Sequence, residues 1–332
     1  MAQRKLNKQQ QKRIREQQDK TRKNIADSDS SEPSDAPHHE GLVIQHHGKQ
    51  AIVENTEGQL LACTIRQNLG TIVCGDSVIY QQNQDTHQDI ILAVKERRSV
   101  LARPDFRRKS KPFAANLDQI VIVAAPEPEL SEHLLDRYLV ILESLSLEGV
   151  VVINKTDLLN EASLSAINTQ MNTYQEIGYP VIYTSVKSSS GMDSIYAVLK
   201  DKRSILVGQS GVGKSSLINA LLPDLDLRTG VLSQANHGKH TTSSSTLYHL
   251  PCGGDILDSP GIRDFALWDI SEQTIAEGFI EFKDYQGQCR FHNCRHINEP
   301  DCAIKSASEQ GAISVKRLQS YQAMLNELEN NA

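Results

Sequence analysis

The chain contains the stretch Ser204-Ile205-Leu206-Val207-Gly208-Gln209-Ser210-Gly211-Val212-Gly213-Lys214-Ser215-Ser216, in which a strand-like run leads into a glycine-rich turn. A helix-forming run, 217–222, follows directly. Glycines let consecutive backbone N–H groups point into such a turn, and the new helix adds the positive end of its dipole. We therefore expect residues 208–216 to bind the phosphates of a nucleotide, with Lys214 acting on the β- and γ-phosphates in catalysis and Ser215 ligating Mg²⁺. The alternative is a glycine-rich turn without a ligand.

A second motif, Asn154-Lys155-Thr156-Asp157, addresses the base of that nucleotide. It follows the β-branched run 149–153, which is typical of a buried parallel strand. The Asp157 carboxylate can accept from N1–H and from the N2 amino group of guanine. Adenine has neither donor on that edge and would leave Asp157 unpaired, at a cost of about 1–3 kcal/mol. Asn154 can contact the other edge of the base and the Lys155 stem its face, so the motif predicts a guanine nucleotide.

Two further loops also follow strand-like runs. Asp258-Ser259-Pro260-Gly261 comes after Ile256-Leu257; we expect Asp258 to hold Mg²⁺ through water and the Gly261 N–H to sense the γ-phosphate. Thr184-Ser185-Val186-Lys187 comes after the run 180–183, and its backbone is expected to brace the guanine ring.

The polar segment His240-Thr241-Thr242 lies between the phosphate loop and Asp258. One threonine is expected to close on Mg²⁺ and the γ-phosphate; the sequence does not distinguish Thr241 from Thr242, so both are kept. After Asp-x-x-Gly many small GTPases carry a glutamine that orients the attacking water, but here that position is Ile262. His240 is the candidate substitute, because histidine suits water positioning near neutral pH. The alternative is an exposed loop histidine.

Residues 40–100 contain five short strand-like runs separated by turn residues such as Gly48 and Gly58; the runs are Leu42–Ile44, Ala51–Val53, Leu60–Ile65, Val78–Tyr80 and Ile90–Val94. This pattern predicts a small closed barrel of the OB type, with an SH3-like barrel as the alternative. The basic run 97–112 that follows is either a soluble connector or a contact for phosphate backbones.

Three of the six cysteines stand close together near the C-terminus, in the pattern Cys289-x₄-Cys294-x-His296-x₅-Cys302. Three thiols and an imidazole at this spacing predict one tetrahedral zinc site per chain. Four protein ligands leave no open position, so the zinc would be structural. His292 lies outside the favoured spacing. Separate thiols beside a chance histidine are the alternative.

Charge is unevenly distributed along the chain. Residues 1–23 carry nine Lys and Arg against two acids, net +7, so a total of −6 leaves −13 for the remainder. The stretch 1–38 has little to bury and is expected to be a disordered tail, either simply solvated or an arm for RNA phosphates. No stretch is apolar enough for a membrane span or a signal peptide, and the cysteine usage favours a reducing cytoplasm.

The order of the motifs is unusual. Ordinary GTPases place the phosphate loop first and the guanine loops last, whereas here both guanine loops precede residue 208. Over about residues 40–330 the chain resembles the circularly permuted GTPases of the RsgA/YjeQ family. Val186 departs from the alanine usual in the second guanine loop, and the effect should be mild because that loop works through its backbone.

The resemblance implies a permuted α/β P-loop GTPase domain with a doubly wound sheet, between an N-terminal OB-type barrel and a small C-terminal helical zinc domain. We expect boundaries of 1–38 for the tail, 39–102 for the barrel, 103–268 for the GTPase domain and 269–332 for the zinc domain. The resemblance supports zinc at the four positions named above. Helices at about 271–285 and 315–329 are expected to flank the site.

The resemblance also implies a function. The enzyme would bind the small ribosomal subunit and its rRNA, and would hydrolyse GTP to GDP and phosphate late in maturation of that subunit, which would stimulate the reaction. A cytoplasmic monomer without a membrane partner is expected. The alternative is a GTP-gated RNA-binding adaptor or translational regulator.

Overall fold

The structure is a computed structural model that describes residues 37–66, 69–82, 89–104, 110–222, 245–259 and 271–331. The chain forms two compact units. The first contains the described residues up to 117 together with 222, 245–250 and 255–259, and the second contains 118–221, 251–254 and 271–331. Within these ranges, no helix combines the length and the apolar character that crossing a bilayer requires.

A closed five-stranded barrel occupies most of the first unit. Its strands are β1 His38–His47, β2 Gln50–Asn55, β3 Leu60–Ile65, β4 Ser77–Gln81 and β5 Asp89–Val94. β1 pairs with both β2 and β4, β2 pairs with β3, and β5 pairs with both β3 and β4, so the ladder closes on itself. Val43, Val53 and Ile91 lie in the interior with no exposed surface. The closed order confirms the OB-type barrel over the SH3-like alternative.

The basic run 97–112, which the sequence predicts as either a soluble connector or a contact for phosphate backbones, is partly a β-hairpin. β6 Val100–Pro104 pairs antiparallel with β7 Ser110–Ala115. The buried carboxylate of Asp76 accepts from Arg97 Nε at 2.6 Å and Nη2 at 2.8 Å. Asn116 Nδ2 donates to the Gly75 carbonyl at 2.9 Å. These bonds fix both ends of the hairpin to one loop of the barrel, so this segment is not a free linker.

A second hairpin, β12 Thr246–His249 and β13 Asp255–Asp258, continues the sheet of the barrel, since Thr246 pairs with Gln45 of β1. The ring of His249 donates to Asp255 Oδ1 at 2.6 Å and to Glu54 Oε2 of β2 at 2.7 Å. These two hydrogen bonds raise the pKa of His249 to about 9, against the opposing effect of burial. His249 is therefore a cation at neutral pH that ties the hairpin to the barrel.

The second unit contains a parallel sheet of β8 Gln119–Ala124, β9 Glu148–Ile153, β10 Val181–Tyr183 and β11 Arg203–Val207. Helices alternate with these strands: α1 Glu132–Ser144, α2 Glu161–Ile177, α3 Met192–Leu199 and α4 Lys214–Leu221. Ser131 Oγ accepts from the Leu134 N–H at 3.2 Å and so caps the N-terminus of α1. Because the strands are parallel, the loops that follow β9, β10 and β11 leave the same edge of the sheet.

The C-terminal part consists of α5 Glu272–Gly278, a 3₁₀ helix Ile280–Tyr285, α6 Ala303–Glu309 and α7 Val315–Asn331. The single helix predicted over 271–285 is thus interrupted after Gly278. Phe279, Phe282 and Tyr321 form the centre of this core, and Val140 of α1 belongs to the same cluster. The C-terminal helices therefore pack directly on the first helix of the parallel sheet.

A buried ionic network reinforces that packing. The Arg317 side chain, only 2% exposed, donates through Nη1 to Asp136 Oδ1 of α1 at 2.7 Å and through Nε to Glu281 Oε1 at 2.7 Å. Tyr174 of α2 donates to the same Asp136 oxygen at 2.8 Å. The guanidinium carbon also lies 4.2 Å from the ring centroid of Phe279. One arginine thus connects α7 with two helices of the parallel-sheet layer.

Candidate functional site

The glycine-rich turn lies where the sequence places it, between the end of β11 and the start of α4. Gly208 has a φ of 141°, and a Cβ there would collide with the Val123 carbonyl of β8. Lys214 Nζ donates to the carbonyls of Gly208 and Gln209, at 2.7 Å each. The ammonium group therefore lies over the turn, at the positive end of α4, and this arrangement favours an anion.

Asn154 joins the first guanine loop to the phosphate loop. Its side chain donates from Nδ2 to the Val212 carbonyl at 2.9 Å. A Cβ at Gly213, whose φ is 96°, would collide with the same nitrogen. Asn154 is 2% exposed, and within the described ranges its Oδ1 is a buried oxygen without a hydrogen-bond partner. A buried acceptor left in that state is costly, so the geometry suits a ligand that donates to it.

Lys155 and Thr156 continue this loop. Lys155 is in the left-handed region with a φ of 60°, and its Nζ donates to the Glu127 carbonyl at 2.9 Å. The Thr156 N–H donates to the Thr184 carbonyl of the second guanine loop at 3.1 Å. Glu127 lies between β8 and α1, and nothing in the sequence predicts its contact with Lys155.

Asp157 contacts the second guanine loop as well. Ser185 Oγ donates to its Oδ1 at 2.6 Å, and Lys187 Nζ lies 3.7 Å from its Oδ2. The Ser185 hydrogen bond, with the Lys187 charge adding to it, lowers the pKa of Asp157. The group is therefore a carboxylate at neutral pH, with lone pairs left to accept from a base.

The backbone of the second guanine loop is closed on itself. Ser185 and Ser190 exchange two N–H to carbonyl bonds, at 3.0 and 3.1 Å, and Thr184 Oγ1 donates to the Ser190 carbonyl at 2.9 Å. Val186 lies inside this closed turn. The phosphate loop and both guanine loops thus meet through direct hydrogen bonds at one edge of the sheet.

The remaining residues predicted to bind the nucleotide lie either in the first unit or outside the described residues. Asp258 ends β13, and the buried Ser259 that follows it contacts Ser245 with their hydroxyl oxygens 2.7 Å apart. The predicted His240, Thr241, Thr242 and Gly261 lie outside the described residues.

The predicted zinc ligands come together. The ligand atoms of Cys289, Cys294, His296 and Cys302 all lie within 4.8 Å of one another, which could hold a metal ion. His296 Nδ1 is 3.3 Å from Cys302 Sγ and 3.6 Å from Cys289 Sγ. Burial lowers the pKa of His296 and so favours the neutral imidazole, the form that ligates metals. A set of three thiols and one imidazole suits zinc.

Contacts that the sequence did not reveal shape the loop around His296. The Glu299 carboxylate accepts from the N–H groups of Arg295, Ile297 and Asn298 at 2.9, 3.0 and 3.1 Å. Against the effect of burial, these bonds lower the pKa of Glu299 to about 2. Gln322 of α7 donates to the His296 carbonyl at 2.8 Å. An acid three residues after a ligand is the signal that could have indicated such support.

Comparison with known proteins agrees with this architecture. The family model described as RsgA GTPase matches residues 94–268. The chain is 45% identical to the small ribosomal subunit biogenesis GTPase RsgA of Hahella chejuensis, over 97% of this chain and 95% of that protein. It is 42% identical to the protein of the same name from Klebsiella pneumoniae (strain 342), over 99% and 96% of the two chains.

Two solved structures are also similar. The crystal structure of YjeQ from Thermotoga maritima has a TM-score of 0.73 at 34% identity, covering 88% of this chain and 99% of that one. YloQ, described as a circularly permuted GTPase, has a TM-score of 0.72 at 29% identity, covering 91% and 99%. These findings confirm the resemblance and the fold class predicted from the sequence. With its motifs in permuted order on a parallel sheet, the chain belongs to the RsgA family of circularly permuted GTPases, which hydrolyse GTP.

Proposed function

We propose that this GTPase binds the small ribosomal subunit and hydrolyses GTP there, late in maturation of the subunit, and that the subunit stimulates hydrolysis. The observation that carries the GTP site is the Asn154 side chain, which bonds the phosphate loop at 2.9 Å and keeps a buried oxygen for a ligand donor. Support for the partner comes from relatives named small ribosomal subunit biogenesis GTPase, at 45% and 42% identity over nearly the whole chain.

Guanine is proposed to lie between the two guanine loops. Asp157 accepts from N1–H and the N2 amino group, Asn154 contacts the opposite edge, and the Lys155 stem covers one face. To do so Lys155 exchanges its exposed contact with the Glu127 carbonyl for the base. Thr156 holds the loop to Thr184, and the backbone of residues 184–186, in the turn closed by Ser185 and Ser190, braces the ring.

Hydrolysis is proposed to use the phosphate loop and the switch residues. Backbone N–H groups of 208–216 and Lys214 stabilise the charge that develops as water attacks the γ-phosphorus and the bond to the β-phosphate oxygen breaks. Ser215, Asp258 and one of Thr241 and Thr242 would hold Mg²⁺, which supplies additional positive charge to the phosphates. The Gly261 N–H would sense the γ-phosphate, and His240 would position the water in place of the missing glutamine.

A second proposal concerns the metal. One zinc ion bound by Cys289, Cys294, His296 and Cys302 would close a structural site with no free position. Such a site would stabilise the loop around His296, which Gln322 and Tyr321 of α7 contact by hydrogen bonds.

Turnover measurements test the proposed function directly. GTP hydrolysis by the full chain is measured alone and with purified small ribosomal subunits. A large stimulation is expected, because Ile262 stands where other GTPases carry their water-orienting glutamine. An unstimulated rate together with nucleotide-dependent RNA binding would support the alternative, a GTP-gated RNA-binding adaptor or regulator.

Base selection gives a sharper test. Replacing Asp157 by asparagine should weaken GTP binding about ten- to hundredfold, since hydrogen bonds to a charged group contribute about 1.5–3 kcal/mol. The new amide can donate to the C2 oxygen of xanthine, so affinity for xanthosine triphosphate should rise. Titration with both nucleotides measures the change. Asp284→Asn, at an exposed acid of the C-terminal part, is the matched control and should alter neither affinity. Equal affinity of the parent protein for ATP and GTP would contradict the guanine assignment.

A further inference from the structure

The turn between the first two zinc-ligand positions exposes an aromatic ring. Within the described ranges the large apolar side chains exposed to solvent are Leu158, Leu164, Phe291 and Val315, and Phe291, at 40%, is the aromatic one. The same C-terminal part buries Phe279, Phe282 and Tyr321 in its core. Phe291 is thus left outside a core that takes up neighbouring aromatic rings.

The turn is also held in place. Its residues Arg290–Asn293 are all exposed, but they lie between Cys289 and Cys294 of the metal-ligand cluster. The Cys294 N–H donates to the Phe291 carbonyl, and the Arg290 N–H donates to the Asp301 carbonyl, both at 3.2 Å. A ring presented on a constrained turn loses little further freedom when it binds a partner.

A cation accompanies this ring. The guanidinium carbon of Arg290 lies 5.5 Å from the Phe291 ring centroid, over the ring. Arg290 Nη1 also pairs with Asp301 Oδ2 at 2.9 Å, and the two side chains are 62% and 68% exposed. Such an exposed ion pair contributes little to stability, so a phosphate can replace Asp301 at small cost. An aromatic face beside an arginine is the combination that proteins use for unstacked nucleotides.

We propose that Phe291 stacks against an unpaired RNA base and that Arg290 contacts an adjoining phosphate. This inference rests on the proposed function and names a contact with the RNA of its partner. The turn favours RNA over a protein partner, because the exposed residues next to Phe291 in the chain, Arg290, His292 and Asn293, are all polar. A protein hot spot instead needs neighbouring groups that exclude water around the anchor.

The test compares variants of the full, metal-loaded chain bound to a non-hydrolysable GTP analogue. Phe291→Ala should lower affinity roughly 5- to 100-fold, both for the small subunit and for a fluorescently labelled single-stranded RNA. Phe291→Trp should keep the affinity and Phe291→Leu should not, because leucine is apolar without a π-face. Arg290→Gln should reduce the slope of the logarithm of RNA affinity against the logarithm of salt concentration by about one. Leu164→Ala, an exposed apolar truncation on α2, is the control and should change nothing.

The outcomes separate the two proposals. If the parent chain binds the labelled RNA through Phe291 but does not bind subunits, the proposed function fails and the stacking contact stands. Equal affinities of Phe291→Ala and the parent chain for both partners would overturn the stacking contact. So would loss of subunit binding with RNA binding unchanged, since that result assigns Phe291 to a protein. Zinc content and unstimulated GTP turnover, measured on each variant, should stay at the parent level. If Phe291→Ala loses zinc, the affinities of Phe291→Trp and Phe291→Leu are compared instead to test the stacking contact.

Discussion

Replacing Lys214 by alanine is expected to lower the rate of GTP hydrolysis at least about a hundred- to thousandfold, the loss typical when one group that stabilises a developing charge is removed. The ammonium group lies at the start of α4, within 2.7 Å of the Gly208 and Gln209 carbonyls that line the turn. No side chain of the turn 208–213 carries a charge, so no residue of the turn can replace the Lys214 ammonium group. Single-turnover hydrolysis with saturating GTP measures the effect on the chemical step.

The same variant should fold normally, because Lys214 contacts the turn and is not part of a buried core. Thermal unfolding and circular dichroism check this expectation. Lys202→Ala is the matched control: Lys202 Nζ pairs with Glu148 at 2.6 Å on the same unit, away from the three loops. It should hydrolyse GTP like the parent chain. A normal rate in Lys214→Ala would mean that the phosphates bind elsewhere.

The parts of the site that the sequence predicted are short contiguous motifs, each directly after a strand. Asn154 and Asp157 follow β9, Thr184 follows β10, and Gly208 follows β11, so the parallel sheet alone suffices to bring them to one edge. The barrel strands could be predicted equally well, because each is a short apolar run bounded by turn residues. The order in which they pair could not be predicted, since the OB-type and SH3-like barrels share that pattern.

Contacts between distant residues could not be predicted in this way. A basic residue within a helix is normally solvated, yet Arg317 is buried because it pairs with Asp136 and Glu281. These partners lie 181 and 36 residues away in sequence, so no local pattern indicates the pairing. Val140 of α1 belongs to the core of the C-terminal helices, which a boundary drawn at residue 269 does not suggest. The β6–β7 hairpin was missed because its charged residues hide the alternation of a strand.

Removal of the proposed zinc ion should have the second large effect, and it should be confined to the C-terminal part. Structural zinc contributes roughly 10–16 kcal/mol to small zinc-binding peptides, and the sulfur ligands here are half-buried or buried. Here Cys302 also belongs to the core that contains Phe282 and Tyr321, so part of the packing persists without the metal. We expect chelation, or Cys294→Ser, to melt this part at a lower temperature than the parallel sheet. Metal analysis of the parent chain should give one zinc per chain.

Hydrogen exchange locates the damage. Protection should fall first in the loop around His296 and then in α7, since Gln322 donates to the His296 carbonyl at 2.8 Å and Tyr321 to the Arg295 carbonyl at 3.2 Å. GTP affinity should survive, because the hydrogen bonds that join the nucleotide loops come from residues 154–214. Cys252→Ser, at a half-buried cysteine outside the cluster, is the control and should keep both zinc and protection. Unchanged protection in Cys294→Ser, or protein purified without chelator that contains no zinc, would show that the C-terminal helices are held by their apolar core and the Arg317 network alone.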